Sequence, residues 1–250
     1  MRVTGERVST PEGGFRPTWE RHVAAYAAAA ELLPPGGPVL DAGCGTGHSY
    51  HLLAPRETVG VDLEAAALAG QDRRTIVADM RALPLPDDSF ASFLSVQSIE
   101  HVPDPERALA EARRVLEPGG TAMLVTPNRL TFGRADEIID PYHDVEYDQH
   151  ELRALCERFF DTVELHGLFG SNRYLELIDA QRARLDQVLA RDPLKLRRFV
   201  PRRARQWLYD AQLRRERKDP SPDELAIGPA DFELLDGPLD EALDLVAVCR

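Results

Sequence analysis

Short apolar runs alternate with stretches of helical periodicity along the first half of the chain. Five runs have the length and flanking turn residues of buried strands, at 38–41, 58–62, 75–78, 90–96 and 121–126. Apolar residues recur at helical spacing between most of them, and in 104–117 these are Ala108, Leu109, Ala112, Val115 and Leu116. This alternation predicts a parallel sheet covered by helices on both faces.

The second half follows a different pattern. A helix over about 149–160 and a strand over 162–168 are predicted first, and residues 172–218 then indicate two or three helices broken at proline positions. The apolar run 243–249 predicts a final strand. The helical block therefore stands between two strand-forming regions.

A glycine-rich turn follows the first predicted strand. That strand ends at Asp41, and Gly43, Gly45 and Gly47 follow at alternate positions, with a helical stretch expected from residue 48. Glycine accepts positive φ and lets backbone N–H groups approach a ligand closely. Asp62 ends the second predicted strand, where a carboxylate binds ribose hydroxyls in nucleotide-binding α/β units. Together these features predict a cofactor that contains adenosine.

The glycine spacing narrows the choice of cofactor. Dinucleotide sites usually show G-x-G-x-x-G, whereas residues 39–47 carry G-x-G-x-G behind a strand-ending acid. This segment resembles motif I of the class I S-adenosylmethionine-dependent methyltransferases, of the type 11 kind. Companion segments follow in the order of that family, at 59–62, 78–80, 83–90 and 117–120. The resemblance covers roughly residues 37–170.

The resemblance implies S-adenosylmethionine as the cofactor and assigns residues to it. Asp62 would accept from the ribose hydroxyls, Asp79 from the exocyclic amine of adenine, and Met80 would pack on the adenine ring, while Gln97 would touch the cofactor from a strand end. The complete expected set is Asp41, Gly43, Cys44, Gly45, Gly47, Asp62, Leu63, Asp79, Met80 and Gln97.

The family's fold is also implied. It is an α/β, Rossmann-like, seven-stranded and mostly parallel sheet, with helices on both faces, an antiparallel last strand and a helical insertion between strands six and seven. We expect a single domain over residues 1–250, with an N-terminal arm and helix (1–36), a cofactor-binding core (37–170), a helical insertion or cap (171–235) and the final strand (236–250).

Two histidines are candidates for proton transfer. A hydroxyl acceptor needs a general base with a near-neutral pKa, and histidine suits that role. His101 follows the fourth predicted strand, and His143 lies beside acidic residues on a long loop. A purely structural role, in orienting or packing these loops, is the alternative for each. Some relatives bind a divalent metal through Glu-x-x-Glu-His. Gln97 occupies the first acidic position here, which argues against a metal site and leaves a divalent metal as an alternative only.

The loop after the fifth strand and the N-terminal segment resemble a subgroup of bacterial, largely actinobacterial, methyltransferases. Acceptors inferred for that subgroup are often sugars or polysaccharides. We therefore expect O-methylation of a hydroxyl on a small molecule or saccharide.

Charge leaves two other functions open. The net charge of −12 argues against a broad nucleic-acid surface, yet residues 181–218 hold 13 Lys/Arg against 4 Asp/Glu. One alternative function is methylation of RNA that binds to this Arg-rich block. The other is a non-catalytic role, in which the protein binds the cofactor as a scaffold or as the subunit of a partner. The sequence also leaves a homodimer open as the oligomeric state.

Cysteine usage and hydropathy bear on the compartment. The three cysteines form neither a C-x-x-C pair nor a disulfide pattern, and no transmembrane segment is apparent. We expect a cytoplasmic protein.

Overall fold

The computed structural model describes residues 16–132, 138, 140–190, 192, 196–216 and 220–250. The described strands are β1 (Val39–Ala42), β2 (Thr58–Asp62), β3 (Arg74–Val77), β4 (Phe90–Val96), β5 (Leu116–Pro127), β6 (Val163–Gly170), β7 (Phe232–Leu235) and β8 (Asp244–Cys249). The described α-helices are α1 (Arg16–Leu32), α2 (Ala65–Leu68), α3 (Pro105–Val115), α4 (Arg129–Phe132), α5 (Gln149–Cys156), α6 (Asn172–Leu189), α7 (Arg202–Glu216) and α8 (Pro222–Ala226).

These strands form one mixed sheet in the order β3-β2-β1-β4-β5-β8-β6-β7. The pairs from β3 to β5 are parallel, whereas β8 pairs antiparallel with both β5 and β6. The predicted Rossmann-like α/β fold with an antiparallel last strand is therefore confirmed. The structure adds β7, which the sequence pattern did not predict because this strand is only four residues long and half exposed.

The centre of the sheet is buried on both faces. Every residue of β1, β2, β4 and β8 is buried, which accounts for their continuous apolar runs in the sequence. α3 packs against this sheet through Leu109, Ala112 and Val115, and its start is fixed by Asp104, whose side chain accepts from the Arg107 amide. Parallel strands in this arrangement bring their carboxyl ends to a common edge.

Two local expectations were wrong. Residues 48–57 contain only a 3₁₀ turn at Tyr50–Leu53, where an α-helix was expected, because few residues separate the glycine turn from β2 and Pro55 ends the turn. β5 begins earlier than the predicted residue 121, at Leu116, and residues 117–120 form an irregularity within that strand, between the pairs Phe90↔Leu116 and Ser92↔Thr121.

The contacts divide the chain into two compact units. The first contains residues 22–169 and 234–250 and includes nearly the whole sheet. The second contains residues 170–233 together with 16–21 of the described N-terminal part. The prediction of a single domain stays a prediction. Residues 1–15 of the expected N-terminal arm lie outside the described residues, as do residues 133–137 and 139 of the long loop.

The second unit consists mainly of α6, α7 and α8. Asp231 organises its non-helical part, because its carboxylate accepts from the Ser171 hydroxyl at 2.6 Å and pairs with Arg173 at 2.5 Å. Phe199 and Trp207 are exposed here. The Arg-rich block falls in this unit, with Arg191, Lys195, Arg217 and Lys218 outside the described residues. No helix in the described ranges is long and apolar enough to cross a bilayer.

Candidate functional site

The glycine turn between β1 and residue 48 has the backbone that the sequence predicted. Gly43, Gly45 and Gly47 have φ values of 75°, 53° and 67°, all in the left-handed region. A Cβ added at Gly43 would overlap the Ser98 hydroxyl, and one at Gly47 would overlap the Gln71 amide. Among the described residues, no atom lies within 4 Å of a Cβ built at Gly45. The turn is therefore packed by protein at both ends and open at its centre, as a cradle for a ligand requires.

Asp62 is fixed beside this open position. Its Oδ2 accepts from the Gly45 amide at 2.9 Å and its Oδ1 accepts from the Glu64 amide at 2.8 Å. The two carboxylate oxygens have about four acceptor positions in all. Leu63 follows with 69% of its surface exposed, which places a large apolar side chain next to the carboxylate. Contacts of this pair of side chains with a ribose and its base stay predictions.

The next expected contacts, Asp79 and Met80, follow β3. Asp79 pairs with Arg81 at 2.6 Å, and these hydrogen bonds lower the pKa of the Asp79 carboxyl. Met80 is buried, and its Cε lies 3.2 Å from a Cβ built at Gly43, so its side chain lines the glycine turn. Their contacts with adenine stay predictions. The Arg81 partner was not identified from the sequence, although its spacing of two residues from Asp79 was available as a signal.

Asp41 has a different environment from the one expected of a cofactor ligand. It is fully buried, accepts from the Tyr26 hydroxyl at 3.0 Å and 3.1 Å, and lies 2.8 Å from Arg73. Burial raises the pKa of its carboxyl, while the Arg73 guanidinium opposes that rise. Asp41 thus anchors the end of β1 to α1 and to the segment before β3. Tyr26 and Arg73 carried no sequence signal, because neither belongs to a motif.

The side chain of Cys44 is buried in the same turn. Burial raises the pKa of its thiol to about 12, so the group stays protonated and unreactive at neutral pH. Cys44 therefore contributes packing and backbone conformation to the turn rather than nucleophilic chemistry.

Gln97 and Ser98 connect the end of β4 with its surroundings. Gln97 has a positive φ of 49°, and its amide nitrogen donates to Asp244 in β8 at 2.5 Å. The Ser98 hydroxyl is 3.0 Å from the Gly43 carbonyl, to which it donates. The end of β4 therefore lies against the glycine turn. A contact between Gln97 and the cofactor stays a prediction.

The structure brings His101 and His143 together. Their ring centroids are 5.0 Å apart, and one potential ligand atom from each, with one from Glu100, lie within 4.8 Å of one another. Glu100 is buried, and the Thr126 hydroxyl donates to its Oε2 at 3.1 Å. Its carbonyl accepts from the amides of Asp144 and Val145 at 2.8 Å and 3.1 Å. These bonds join the segment after β4 to the loop that carries His143.

Each histidine in this cluster is oriented through Nδ1. The Nδ1 of His143 lies 3.0 Å from Oε1 of the buried Glu146, and that of His101 lies 3.2 Å from the Tyr142 carbonyl oxygen. Both partners are acceptors, so these contacts favour the tautomer that has the proton on Nδ1 and the lone pair on Nε2. The cluster can therefore accept a proton or bind a cation through two oriented nitrogen atoms.

The chain matches a family model and full-length relatives. The model described as a methyltransferase domain matches residues 40–124. A probable S-adenosylmethionine-dependent methyltransferase of Mycobacterium tuberculosis is 32% identical over 269 residues, covering 99% of this chain and 89% of that protein. A relative of the same description from Mycolicibacterium smegmatis is also 32% identical, over 98% of this chain and 93% of its own length.

Solved structures agree on the fold. A methyltransferase from Thermotoga maritima, named as a possible histamine N-methyltransferase, has a TM-score of 0.60 at 20% identity, covering 94% of this chain and 91% of its own. A methyltransferase from Archaeoglobus fulgidus also has a TM-score of 0.60, at 14% identity, covering 94% and 95% of the two chains.

Relatives at 32% identity span nearly the whole chain, and the glycine turn with Asp62 beside it has the conformation that the sequence predicted for a cofactor site. The chain belongs to the S-adenosylmethionine-dependent methyltransferases, enzymes of class EC 2.1.1.

Proposed function

We propose that this methyltransferase transfers the methyl group to a hydroxyl oxygen of a small molecule or saccharide. The observation that carries the proposal is the oriented pair His143–Glu146 facing His101 at the end of β4. Ser98 joins that strand end to the glycine turn, so the histidine cluster and the cofactor cradle lie at one edge of the sheet. A base at this position is needed for a hydroxyl acceptor, because its proton must leave as the oxygen attacks.

Different residues position the cofactor, remove the acceptor proton and orient the acceptor. S-adenosylmethionine supplies an electrophilic methyl sulfonium. The glycine turn and Asp62 position it, which converts the transfer into a reaction between oriented partners. His143 takes the proton of the acceptor hydroxyl on Nε2, and the Glu146 carboxylate stabilises the imidazolium through Nδ1. His101 lies beside it and orients the acceptor.

The saccharide part of the proposal rests on the resemblance of the N-terminal segment and the loop after β5 to actinobacterial enzymes. The mycobacterial relatives support the actinobacterial part of that resemblance. The alternatives are methylation of RNA through the Arg-rich block and a non-catalytic scaffold. A cytoplasmic location and a homodimer stay predictions as well.

The test uses purified protein and S-adenosylmethionine with a labelled methyl group. The acceptors are a panel of hydroxyl compounds that includes mono- and oligosaccharides, and amines and RNA are offered as alternative acceptors. We expect label in an ether linkage. His143→Ala should lower kcat by a factor of about 10²–10⁴ with little change in cofactor Kd, as for loss of a general base.

The matched control is His150→Ala, because His150 is an exposed histidine on α5. This variant should keep wild-type kcat. Label found on nitrogen, on carbon or on RNA would contradict the proposal, as would full kcat in both His101→Ala and His143→Ala.

A further inference from the structure

We propose that α7 and the 3₁₀ turn before it (Leu196–Phe199) bind the surface of a lipid bilayer that contains anionic lipids. Both elements lie in the second unit. Neither of them contributes a residue to the glycine turn or to the histidine cluster described above, so the inference goes beyond methyl transfer. It rests on the exposed apolar side chains of these elements and on the positive charge of the segment that carries them.

The exposed side of α7 carries large apolar side chains. Trp207 is 61% exposed and Leu208 is 55% exposed. Arg203 and Ala204 are also exposed, and they share this side because residues three and four positions apart lie on one face of a helix. The other side of the helix is partly buried and includes Arg205, Gln206, Tyr209 and Leu213. A surface helix normally packs its apolar side against the protein, so α7 presents an apolar surface that the described part of the chain leaves largely uncovered.

The turn before α7 also exposes apolar side chains. Phe199 is 84% exposed, the highest value among the large hydrophobic side chains of the described residues, and Leu196 is 58% exposed. Residues i and i+3 of a 3₁₀ helix are eclipsed, so these two side chains point to the same side. The short stretch from residue 196 to residue 208 therefore exposes two aromatic rings and two leucines. Such a concentration of exposed apolar surface indicates a binding site for another surface.

The charge of this segment is opposite to that of the protein as a whole. Residues 181–218 contain 13 Lys/Arg and 4 Asp/Glu, whereas the whole chain has a net charge of −12. Arg202 and Arg203, at the start of α7, are both exposed. An anionic surface therefore attracts this segment and repels the remainder of the chain, which favours attachment through this segment.

A bilayer supplies a partner for both kinds of side chain at once. Anionic headgroups attract the arginines, and the boundary with the acyl chains beneath them accepts tryptophan, phenylalanine and leucine. RNA supplies negative charge and bases that stack on aromatic rings, but it offers no apolar environment for Leu196 and Leu208. A symmetric dimer through this surface would bring the arginines of two copies together, and like charges in contact are unfavourable. The observations therefore favour a lipid surface over RNA or a second copy of the chain.

The test is co-sedimentation of the full-length protein with lipid vesicles, without cofactor or acceptor. We expect binding to vesicles of phosphatidylcholine mixed with phosphatidylglycerol, and much weaker binding to phosphatidylcholine alone. Tryptophan fluorescence should shift to shorter wavelength on binding, because Trp207 leaves water for the apolar boundary. Trp207→Phe should lose this shift and still bind, since phenylalanine also enters that boundary.

Substitutions at exposed positions separate the apolar and the charged contributions. Phe199→Gln combined with Trp207→Gln should weaken vesicle binding at least about 10-fold, because two side chains no longer leave water. Arg203→Gln should weaken it about 5-fold, the effect of one basic residue near an anionic surface. Leu208→Gln and Leu225→Gln form a matched pair, since both change exposed leucines of the second unit, and only Leu208→Gln should weaken binding. Circular dichroism checks that each variant is folded.

The contrary outcomes are distinct from one another. No binding to vesicles that contain phosphatidylglycerol, or binding that the double variant Phe199→Gln/Trp207→Gln leaves unchanged, overturns the inference. Binding of a labelled RNA that the double variant abolishes would assign this surface to nucleic acid instead. A dimer in light scattering that the double variant dissociates would assign it to a second copy. Methylation of a hydroxyl acceptor is unaffected by any of these results, because the assays contain neither cofactor nor acceptor.

Discussion

The glycine turn and the histidine cluster lie at the same edge of one sheet, but they are built in different ways. The turn comes from the five consecutive residues 43–47, whose glycines determine the backbone, and Asp62 accepts a hydrogen bond from the Gly45 amide. The cluster joins segments about 40 positions apart, held together by two amides that bind the Glu100 carbonyl. The glycine turn is therefore encoded locally, whereas the histidine cluster depends on tertiary contacts.

Substitutions in the turn and substitutions in the buried groups that anchor it should therefore have different effects. A change in the turn should affect cofactor binding through local geometry. A change in the buried groups that anchor either region should first lower the free energy of unfolding. A buried polar or charged group that loses its partner cannot form a replacement hydrogen bond with water. Variants of the turn and of its buried anchor separate these two effects.

The largest effect is expected at the anchor of the glycine turn. Arg73→Met leaves the buried Asp41 carboxylate with the Tyr26 hydroxyl as its remaining described partner. Breaking a buried ion pair in this way costs about 3–5 kcal/mol, and urea unfolding followed by circular dichroism measures the loss. Arg74→Met is the matched control because Arg74 is exposed and neighbouring, and it should change the free energy of unfolding by less than about 0.5 kcal/mol.

A partial rescue would sharpen this result. Asp41→Asn combined with Arg73→Met removes the uncompensated charge, so the double variant should be more stable than Arg73→Met alone. Equal stability of Arg73→Met and wild type would show that the pair does not anchor the turn.

A smaller effect is expected where the turn meets the cofactor. Asp62→Asn keeps the size of the side chain but removes its charge and one acceptor. Hydrogen bonds to charged groups contribute about 1.5–3 kcal/mol, so the Kd for S-adenosylhomocysteine should rise about 10–150-fold in calorimetry. Asp72→Asn makes the same chemical change at an exposed position and should leave Kd unchanged. Unchanged Kd in Asp62→Asn would contradict the assignment of this carboxylate to the ribose.

The two regions also differ in how far the sequence predicted them. The strands, α3 and the conformation of the glycine turn follow from apolar runs, helical spacing and glycine positions, which act over a few residues. The meeting of His101 with His143 was not predictable, because it depends on how the loop after β5 returns to the end of β4. The Asp41–Tyr26–Arg73 cluster was missed for the same reason, and β7 was missed because four half-exposed residues have no distinctive period.

The smallest effect concerns His48, at the end of the glycine turn. Burial, together with His22 and His51, lowers the pKa of this imidazole to about 3. Its Nδ1 lies 2.5 Å from the Ser49 hydroxyl. The unfolded chain takes up a proton at this histidine near pH 6.5, whereas the folded protein does not, so this group destabilises the fold as pH falls below about 6.5. The contribution has a slope of at most about 1 kcal/mol per pH unit, because the side chain is only partly buried.

His48→Gln should therefore have a shallower loss of unfolding free energy than the wild type between pH 6.5 and 5, as measured by urea unfolding at several pH values. His150→Gln, at an exposed histidine, should follow the wild-type curve. Parallel curves for His48→Gln and wild type would show that His48 protonates as readily in the folded protein as in the unfolded chain. The turn would then be more open to solvent at this end than its packing indicates, and the contrast between a locally packed glycine turn and a histidine cluster built from tertiary contacts would weaken.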